Sequence, residues 1–252
     1  MSLPRSLGTT PYIFTNIRPL LRAEKRDLRA LAEIMVINTH FSPEEGMKLI
    51  MFIRHVTDAE VFERSLFYQF LQDMFKITDD IVTDKVFRHF DQNRDGLIDL
   101  QEFVRGMSVF LRGDEEERSR WAFGVYDLND DQTISRDELF TLLRCNMAMI
   151  DEYDSNENIK QTMELVEMTH RKLDTDKDGL ISKDDFCAAV RKDPLLLQSL
   201  GKCLARLECV LAFMGVLNQF NVVIEDASGG AESAASRSQQ LVEAACSLVG
   251  GK

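Results

Sequence analysis

The feature that most constrains this chain is a twelve-residue pattern of oxygen-bearing side chains that occurs three times. Asp91–Glu102 reads DQNRDGLIDLQE, with Asp91, Asn93, Asp95, Asp99 and Glu102 at positions 1, 3, 5, 9 and 12 and Gly96 at position 6. Asp127–Glu138, DLNDDQTISRDE, places Asp127, Asn129, Asp131, Ser135 and Glu138 at the same positions. Asp174–Asp185, DTDKDGLISKDD, does so with Asp174, Asp176, Asp178, Ser182 and Asp185. A hard divalent cation such as Ca²⁺ takes six to eight oxygens on a flexible shell, and this spacing turns the side chains inward around a sharp bend at position 6. The backbone carbonyls of Leu97, Thr133 and Leu180, at position 7, would complete the three sets.

The loops are not equal. The first has the turn glycine, the closing glutamate and a fourth acidic side chain, Asp99, and is expected to bind Ca²⁺ most tightly. The second has Gln132 where the backbone turns left-handed, a conformation that costs a non-glycine residue about 1 kcal/mol, so binding there is expected to survive but weaken. The third closes on Asp185, one methylene shorter than glutamate and prone to offer a single oxygen, so a six-coordinate site that also tolerates Mg²⁺ is expected over 174–185.

Isoleucine stands at position 8 of each loop, as Ile98, Ile134 and Ile181. Such a residue allows two adjacent loops to pair through a short ladder, which joins the 127 and 174 loops and leaves the 91 loop to a preceding, degenerate hand. That hand is read between two helices. The first begins at Pro43 on the signal Ser42-Pro43-Glu44-Glu45 and runs to about Val56, and the second starts from Thr57 and Glu60 and carries Phe67, Phe70, Leu71 and Phe75. Between them Asp58, Glu60 and Glu63 lack the ligand spacing and a turn glycine, so no cation is expected. Thr78 is read as the cap of the helix entering the 91 loop, Asp114 as the start of the helix entering the 127 loop, and Ile159, Met163, Val166 and Leu173 as the inner side of the helix entering the 174 loop. Asp151–Glu157 reads as an acidic solvated connector.

The expected architecture is all-α, an arrangement of paired helix–loop–helix EF-hands in two lobes, one hand degenerate and three ligand-bearing. Residues 1–41 form a basic N-terminal extension with an amphipathic helix from about Thr15 to Asn38, for which packing on the body is favoured over docking on an acidic partner. Residues 42–112 form the N-lobe and 113–204 the C-lobe, which ends in a short leucine-rich helix capped by Asp193-Pro194. Residues 205–252 are a tail. The apolar segment Cys203–Val216, which leads into it, and the leucine-rich helix with Leu195, Leu196, Leu197 and Leu200 could fill the protein's own groove, while Ala227–Gln239 reads as a flexible linker and Leu241–Val249 is weakly amphipathic.

Composition narrows the function. A formal charge of −12 over 252 residues argues against nucleic acid as the main partner. Five cysteines with no C-x-x-C pair fit a reduced intracellular protein without disulfides or zinc. No apolar run is long enough to cross a bilayer, and Ser2 in place of glycine removes an N-myristoyl signal, so no membrane anchor is expected. Arg5, Arg18 and Arg22, in a stretch free of acids, read as a basic extension in preference to a transit peptide. His40, His55, His89 and His170 are scattered, with no P-loop or G-x-S-x-G, so the chain is not expected to be an enzyme.

The run from about Phe41 to Leu204 resembles the calaxin family of EF-hand sensors of ciliary outer-arm dynein, itself similar to the neuronal calcium sensors. The resemblance rests on the degenerate hand from Phe41-Ser-Pro to Ile77-Thr78-Asp79-Asp80, on VFRHFDQNRDG at 86–96, FLRG at 110–113 and YDLNDD at 126–131. LDTDKDGLIS at 173–182 and LLLQSLGKCL at 195–204 extend it. Gln132, the N-terminal extension and everything after about Arg206 depart from it. The resemblance implies a cytoplasmic protein on the axoneme of a cilium or flagellum that contacts outer-arm dynein chains or adjacent tubulin and alters motor behaviour when Ca²⁺ rises. The residues themselves support an ion-dependent opening that exposes Met107, Phe110, Phe140 and Met147, a stripe that would otherwise be ordinary core. The competing readings are a calcium buffer and a calcineurin-B-like or neuronal-calcium-sensor-like subunit of another target.

Overall fold

A computed structural model of the protein describes residues 20–57, 59–147 and 155–221. Among them the elements run α1 (Arg22–Met35), α2 (Pro43–Val56), β1 (Phe62–Glu63), α3 (Arg64–Phe75), α4 (Asp80–Phe90), β2 (Leu97–Ile98), α5 (Leu100–Arg112), α6 (Glu115–Tyr126), β3 (Thr133–Ile134), α7 (Arg136–Met147), α8 (Ser155–Leu173), β4 (Ile181–Ser182), α9 (Lys183–Lys192), a 3-10 helix at Pro194–Gln198, and α10 (Leu207–Asn218). The fold is the all-α EF-hand arrangement expected. By internal packing the described residues divide into two units, one drawing on 20–76, 97–105 and 205–221, the other on 77–96 and 106–204.

In the first unit, α2 starts where its cap dictates. The Ser42 hydroxyl accepts from the Glu45 amide at 3.3 Å, and the Glu45 carboxylate accepts from the Ser42 amide at 2.9 Å. α1 packs along α2 through buried Leu28 and Ala32, and Gly46 permits that approach, since a Cβ there would lie 2.6 Å from Val36 Cγ1. β1 and β2 pair antiparallel, Phe62 opposite Ile98, so the degenerate hand and the 91 loop share a ladder as anticipated. Behind the ladder lies an aromatic core. Phe62 stacks on Phe103 at 5.2 Å and Phe70 meets both, at 5.5 and 5.8 Å. α10 lies on α2 and α3 and closes this core. Its Phe213 meets Phe52 edge-on at 5.2 Å, with Phe75 at 5.7 Å and Phe70 at 5.8 Å, while Lys48 Nζ donates to Asn218 Oδ1 at 2.9 Å.

In the second unit, α4 packs on α6, and Trp121 sits against Phe90 at 5.4 Å, Phe110 at 6.1 Å and the His89 ring at 4.9 Å. β3 and β4 pair with Ile134 opposite Ile181, the second ladder foreseen from position 8. The leucine-rich end wraps onto α6. Tyr126 donates its hydroxyl proton toward the Leu197 and Gly201 carbonyls, at 3.0 and 2.8 Å, and accepts from the Cys203 thiol at 3.1 Å. Trp121 Nε1 donates to the Cys203 carbonyl at 3.1 Å. Burial pushes the Cys203 thiol up to about 12.

Several local expectations are corrected. No helix starts at Thr57: Glu60 has a left-handed φ of 58° and pairs with Arg54 at 2.9 Å, and β1 keeps Phe62–Glu63 extended before α3 begins. Asp79, not Thr78, caps α4, accepting from the Val82 amide at 2.9 Å. The acidic connector is shorter than read, because α8 already begins at Ser155. On α8, Ile159 and Met163 are exposed, and the inner face is Thr162, Val166, Thr169, His170 and Leu173. The leucine-rich helix is a 3-10 turn over Pro194–Gln198 in which Leu196 and Leu197 are buried and Leu195 is exposed, with Leu200 buried just after it. The apolar helix of the tail spans Leu207–Asn218. Residues 1–19, which hold the start of the amphipathic stretch, and both 227–239 and 241–249 lie outside the described residues.

Candidate metal centres in the three acidic loops

The three loops repeat one backbone path. Positions 4 and 6 both have left-handed φ: 61° and 84° at Arg94 and Gly96, 60° and 71° at Asp130 and Gln132, 65° and 92° at Lys177 and Gly179. Gln132 thus takes the strained conformation that the glycines take freely. In each loop the position-6 amide donates to the position-1 carboxylate, at 2.9 Å for Gly96 to Asp91, 2.9 Å for Gln132 to Asp127 and 3.1 Å for Gly179 to Asp174. The position-5 amide donates to the position-3 side chain, at 2.8 Å for Asp95 to Asn93, 3.0 Å for Asp131 to Asn129 and 3.1 Å for Asp178 to Asp176. The position-9 amide donates to the closing carboxylate, from Asp99 to Glu102 at 3.1 Å, Ser135 to Glu138 at 2.8 Å and Ser182 to Asp185 at 3.2 Å. Backbone amides therefore hold the acids in place before any cation is considered.

Burial differs along the loops. Asp91, Glu102, Asp127, Glu138 and Asp185, the ends of the loops, are buried, while Asn93, Asp95, Asn129, Asp131, Asp176 and Asp178 are exposed at the rim. Asp99, Ser135 and Ser182 are half-buried, and Leu97 and Leu180 carry exposed side chains beside their position-7 carbonyls, with Thr133 half-buried.

The electrostatics follow. Burial pushes the Asp127 carboxyl up, the Gln132 and Asp131 amides oppose that, and the Glu138 and Asp131 charges add to it. Asp131 is held below the usual carboxylate range by bonds from Thr133 and Asn129. At Asp185 burial works against ionisation, but bonds from Ser182 and Thr175 outweigh it and hold the carboxyl low. Crowded carboxylates of this kind repel one another and are relieved by a cation.

The third loop offers the most direct test of fit. Carboxylate oxygens of Asp174, Asp176 and Asp178 all lie within 4.8 Å of one another. Asp174 Oδ1 is buried with no hydrogen-bond partner, while its Oδ2 accepts from Gly179. A buried acceptor left without a donor is unfavourable by about 1–3 kcal/mol, and a hard cation among three carboxylates satisfies it. The donor set, all oxygen, fits Ca²⁺ or Mg²⁺ and not a soft metal.

Sequence reasoning missed the residues that brace these acids. Thr175 Oγ1 reaches Asp185 Oδ1, and the Leu128 and Asn129 amides donate to Glu138 Oε1 at 2.8 and 3.1 Å. Buried His170 brings Nε2 to within 3.1 Å of the Gly179 carbonyl, with Nδ1 3.9 Å from Asp174. Its place four residues before Asp174 was the available signal, since that spacing puts both on one helix face. Lys85, 2.6 Å from Asp130, was missed as well. Of the apolar stripe, Met107 and Phe110 are buried and Phe140 is half-buried, and the Met147 side chain lies outside the described residues. Among the described residues no helix is long and apolar enough to cross a membrane.

Comparison with known proteins agrees with the geometry. A family model for EF-hand domain pairs matches residues 116–191, and one for the EF hand domain matches 82–110. Calaxin of Xenopus laevis is 42% identical over 198 residues, covering 75% of this chain and 94% of that protein. Calaxin of Bos taurus is 39% identical over 190 residues, 71% of this chain and 88% of that protein. Guanylyl cyclase-activating protein 1 of Gallus gallus is 34% identical over 128 residues, 48% of this chain and 59% of that protein. With hands, ladders and a calaxin relative matched along nearly its whole length, the chain belongs to the calaxin family of EF-hand calcium sensors.

Proposed function

We propose that this chain is a Ca²⁺-responsive regulatory subunit of outer-arm dynein on the ciliary or flagellar axoneme, acting by binding alone. The observation that carries the Ca²⁺ part is the shared loop geometry: three loops whose positions 4 and 6 turn left-handed and whose backbone amides fix the oxygen-bearing side chains at positions 1, 3 and 12. In this reading the ligands are Asp91, Asn93, Asp95, Leu97, Asp99 and Glu102; Asp127, Asn129, Asp131, Thr133, Ser135 and Glu138; and Asp174, Asp176, Asp178, Leu180, Ser182 and Asp185. The third loop takes Mg²⁺ as well, because Asp185 is short.

The regulatory part is supported by what lies against α2 and α3. An apolar helix of the chain's own tail is seated there, with Phe213 among Phe52, Phe70 and Phe75, so this surface is built to hold a helix with an aromatic anchor. A target helix of like character would compete with α10 once Ca²⁺ loosens it. The dynein assignment rests on membership of the calaxin family and the resemblance set out above.

Pull-down from ciliated-cell or sperm extract with and without Ca²⁺ tests the proposal. Calcium-dependent recovery of dynein chains, or of tubulin, is expected. Recovery of a phosphatase instead would replace the assignment with a calcineurin-B-like role.

A further inference from the structure

Lys85 lies on α4, six residues ahead of Asp91, and is buried among Val82, Thr83, Val86 and Phe87 of the same helix, which are also buried. Its side chain is 5% exposed, and its ammonium sits 2.6 Å from Asp130 Oδ1. Asp130 is position 4 of the second loop. It has a left-handed φ of 60°, and its side chain, 54% exposed, reaches Lys85; position 4 is not among the ligand positions 1, 3, 5, 7, 9 and 12, so Asp130 is not a ligand in the proposed set. Lys85 also lines a cleft of about 280 Å³ with Asp80, Ile81, Asp84 and Arg88 of α4 and Leu128 of the second loop.

A lysine buried this deeply is retained only if it is paired, because an uncompensated ammonium would be strongly unfavourable. The pair therefore ties α4, which leads directly into Asp91, to the bend of the second loop. The contact is reinforced along α4. The His89 ring lies against Trp121 and so close to Gly124 that a Cβ there would meet Cε1 at 2.4 Å, which holds α4 at one register on α6. α6 in turn ends at Asp127.

We propose that Lys85, through Asp130, is a positioning residue that couples cation occupancy of the second loop to that of the first. It rests on the reading that both loops bind Ca²⁺. An ion at the second loop fixes the bend on which Asp130 sits, the ion pair then fixes α4, and α4 sets the entry of the chain into Asp91. Linkage makes the effect reciprocal, so occupancy of the first loop favours the second by the same factor. Position 8 pairs the second loop with the third through β3 and β4, and this ion pair gives it a further connection outside that pairing.

The test uses ¹H–¹⁵N spectra of the full chain during Ca²⁺ titration. The Gly96 amide, which donates to Asp91 Oδ2, reports the first loop by itself. Its titration midpoint is measured with the second loop intact and with that loop disabled by Glu138→Gln. A coupled pair shifts the midpoint by about fivefold or more. In Asp130→Asn, which tolerates the left-handed backbone, and in Lys85→Met, which keeps the buried stem, the two midpoints should agree within twofold. A purely structural role for the pair would lower the melting temperature of these variants and leave the ratio as in the parent. That result overturns the proposal, as does a parent in which Glu138→Gln fails to move the Gly96 midpoint. A Gly96 resonance that does not respond to Ca²⁺ at all would remove the calcium reading itself and the coupling with it.

Discussion

Replacing Phe213 by alanine isolates the docking of α10. The ring is fully buried and meets three others, Phe52 at 5.2 Å, Phe75 at 5.7 Å and Phe70 at 5.8 Å. Burying a phenylalanine is worth about 1.5–3 kcal/mol, and each well-placed ring pair adds about 0.5–1.5 kcal/mol. Partial collapse of the site returns some of that, so the loss should be about 3–5 kcal/mol, the usual range for this truncation in a core. A loss near 4 kcal/mol shifts the docked-to-free ratio of α10 by roughly a thousandfold. A twelve-residue helix has little stability of its own in water, so it should detach before the unit unfolds. Hydrogen exchange of the Val216 and Leu217 amides is the assay, with Leu211→Ala, 58% exposed, as a control expected to change stability by under about 0.5 kcal/mol. In Phe213→Ala those amides should exchange at near free-peptide rates while β1 and β2 stay protected. Unchanged protection of Val216 and Leu217 would refute the view that Phe213 anchors the helix.

Three further outcomes follow from the same geometry. Glu102→Gln should abolish Ca²⁺ binding at the first loop and remove most of the high-affinity calorimetric signal, and an equal loss from Glu138→Gln alone would overturn the ranking of the loops. Gly106→Ala, a change that ordinarily stabilises a helix interior by about 1 kcal/mol, should instead destabilise by about 1–3 kcal/mol, measured by urea unfolding, because its Cβ would lie 2.3 Å from the Phe90 ring. Burial raises the Cys203 thiol from 9.0 to about 12, so the folded state favours the neutral form; that stability is complete below pH 9 and is lost as pH rises from 9 toward 12. Cys203→Ala should show a shallower fall of unfolding free energy between pH 9 and 10.5.

The hands were legible in the sequence because ligand spacing is a covalent property: carboxylates at fixed separations with a left-handed bend at position 6 leave few other foldings. The two ladders were legible for the same reason, through Ile98, Ile134 and Ile181. What was not legible depended on partners far along the chain. The inner face of α8 uses Thr162, Thr169 and His170, which an apolar periodicity passes over in favour of Ile159 and Met163. Lys85 reads as a solvated lysine until Asp130 is placed 2.6 Å from it, forty-five residues later. The start of α3 was misread because two local cap residues, Thr57 and Glu60, were outweighed by the β1–β2 pairing. For α10 the sequence showed an apolar segment suited to the chain's own groove, but not that Phe213 would be its anchor.

Conversion of Ca²⁺ occupancy of the loops into a change of exposed apolar surface is the step on which the proposed regulatory role depends. Fluorescence of an environment-sensitive hydrophobic probe, followed while the full chain is titrated with Ca²⁺ at constant ionic strength, measures that conversion directly. A saturable rise that Glu102→Gln suppresses is expected. Ca²⁺ binding by calorimetry with no change in probe fluorescence would contradict it and leave the protein a buffer.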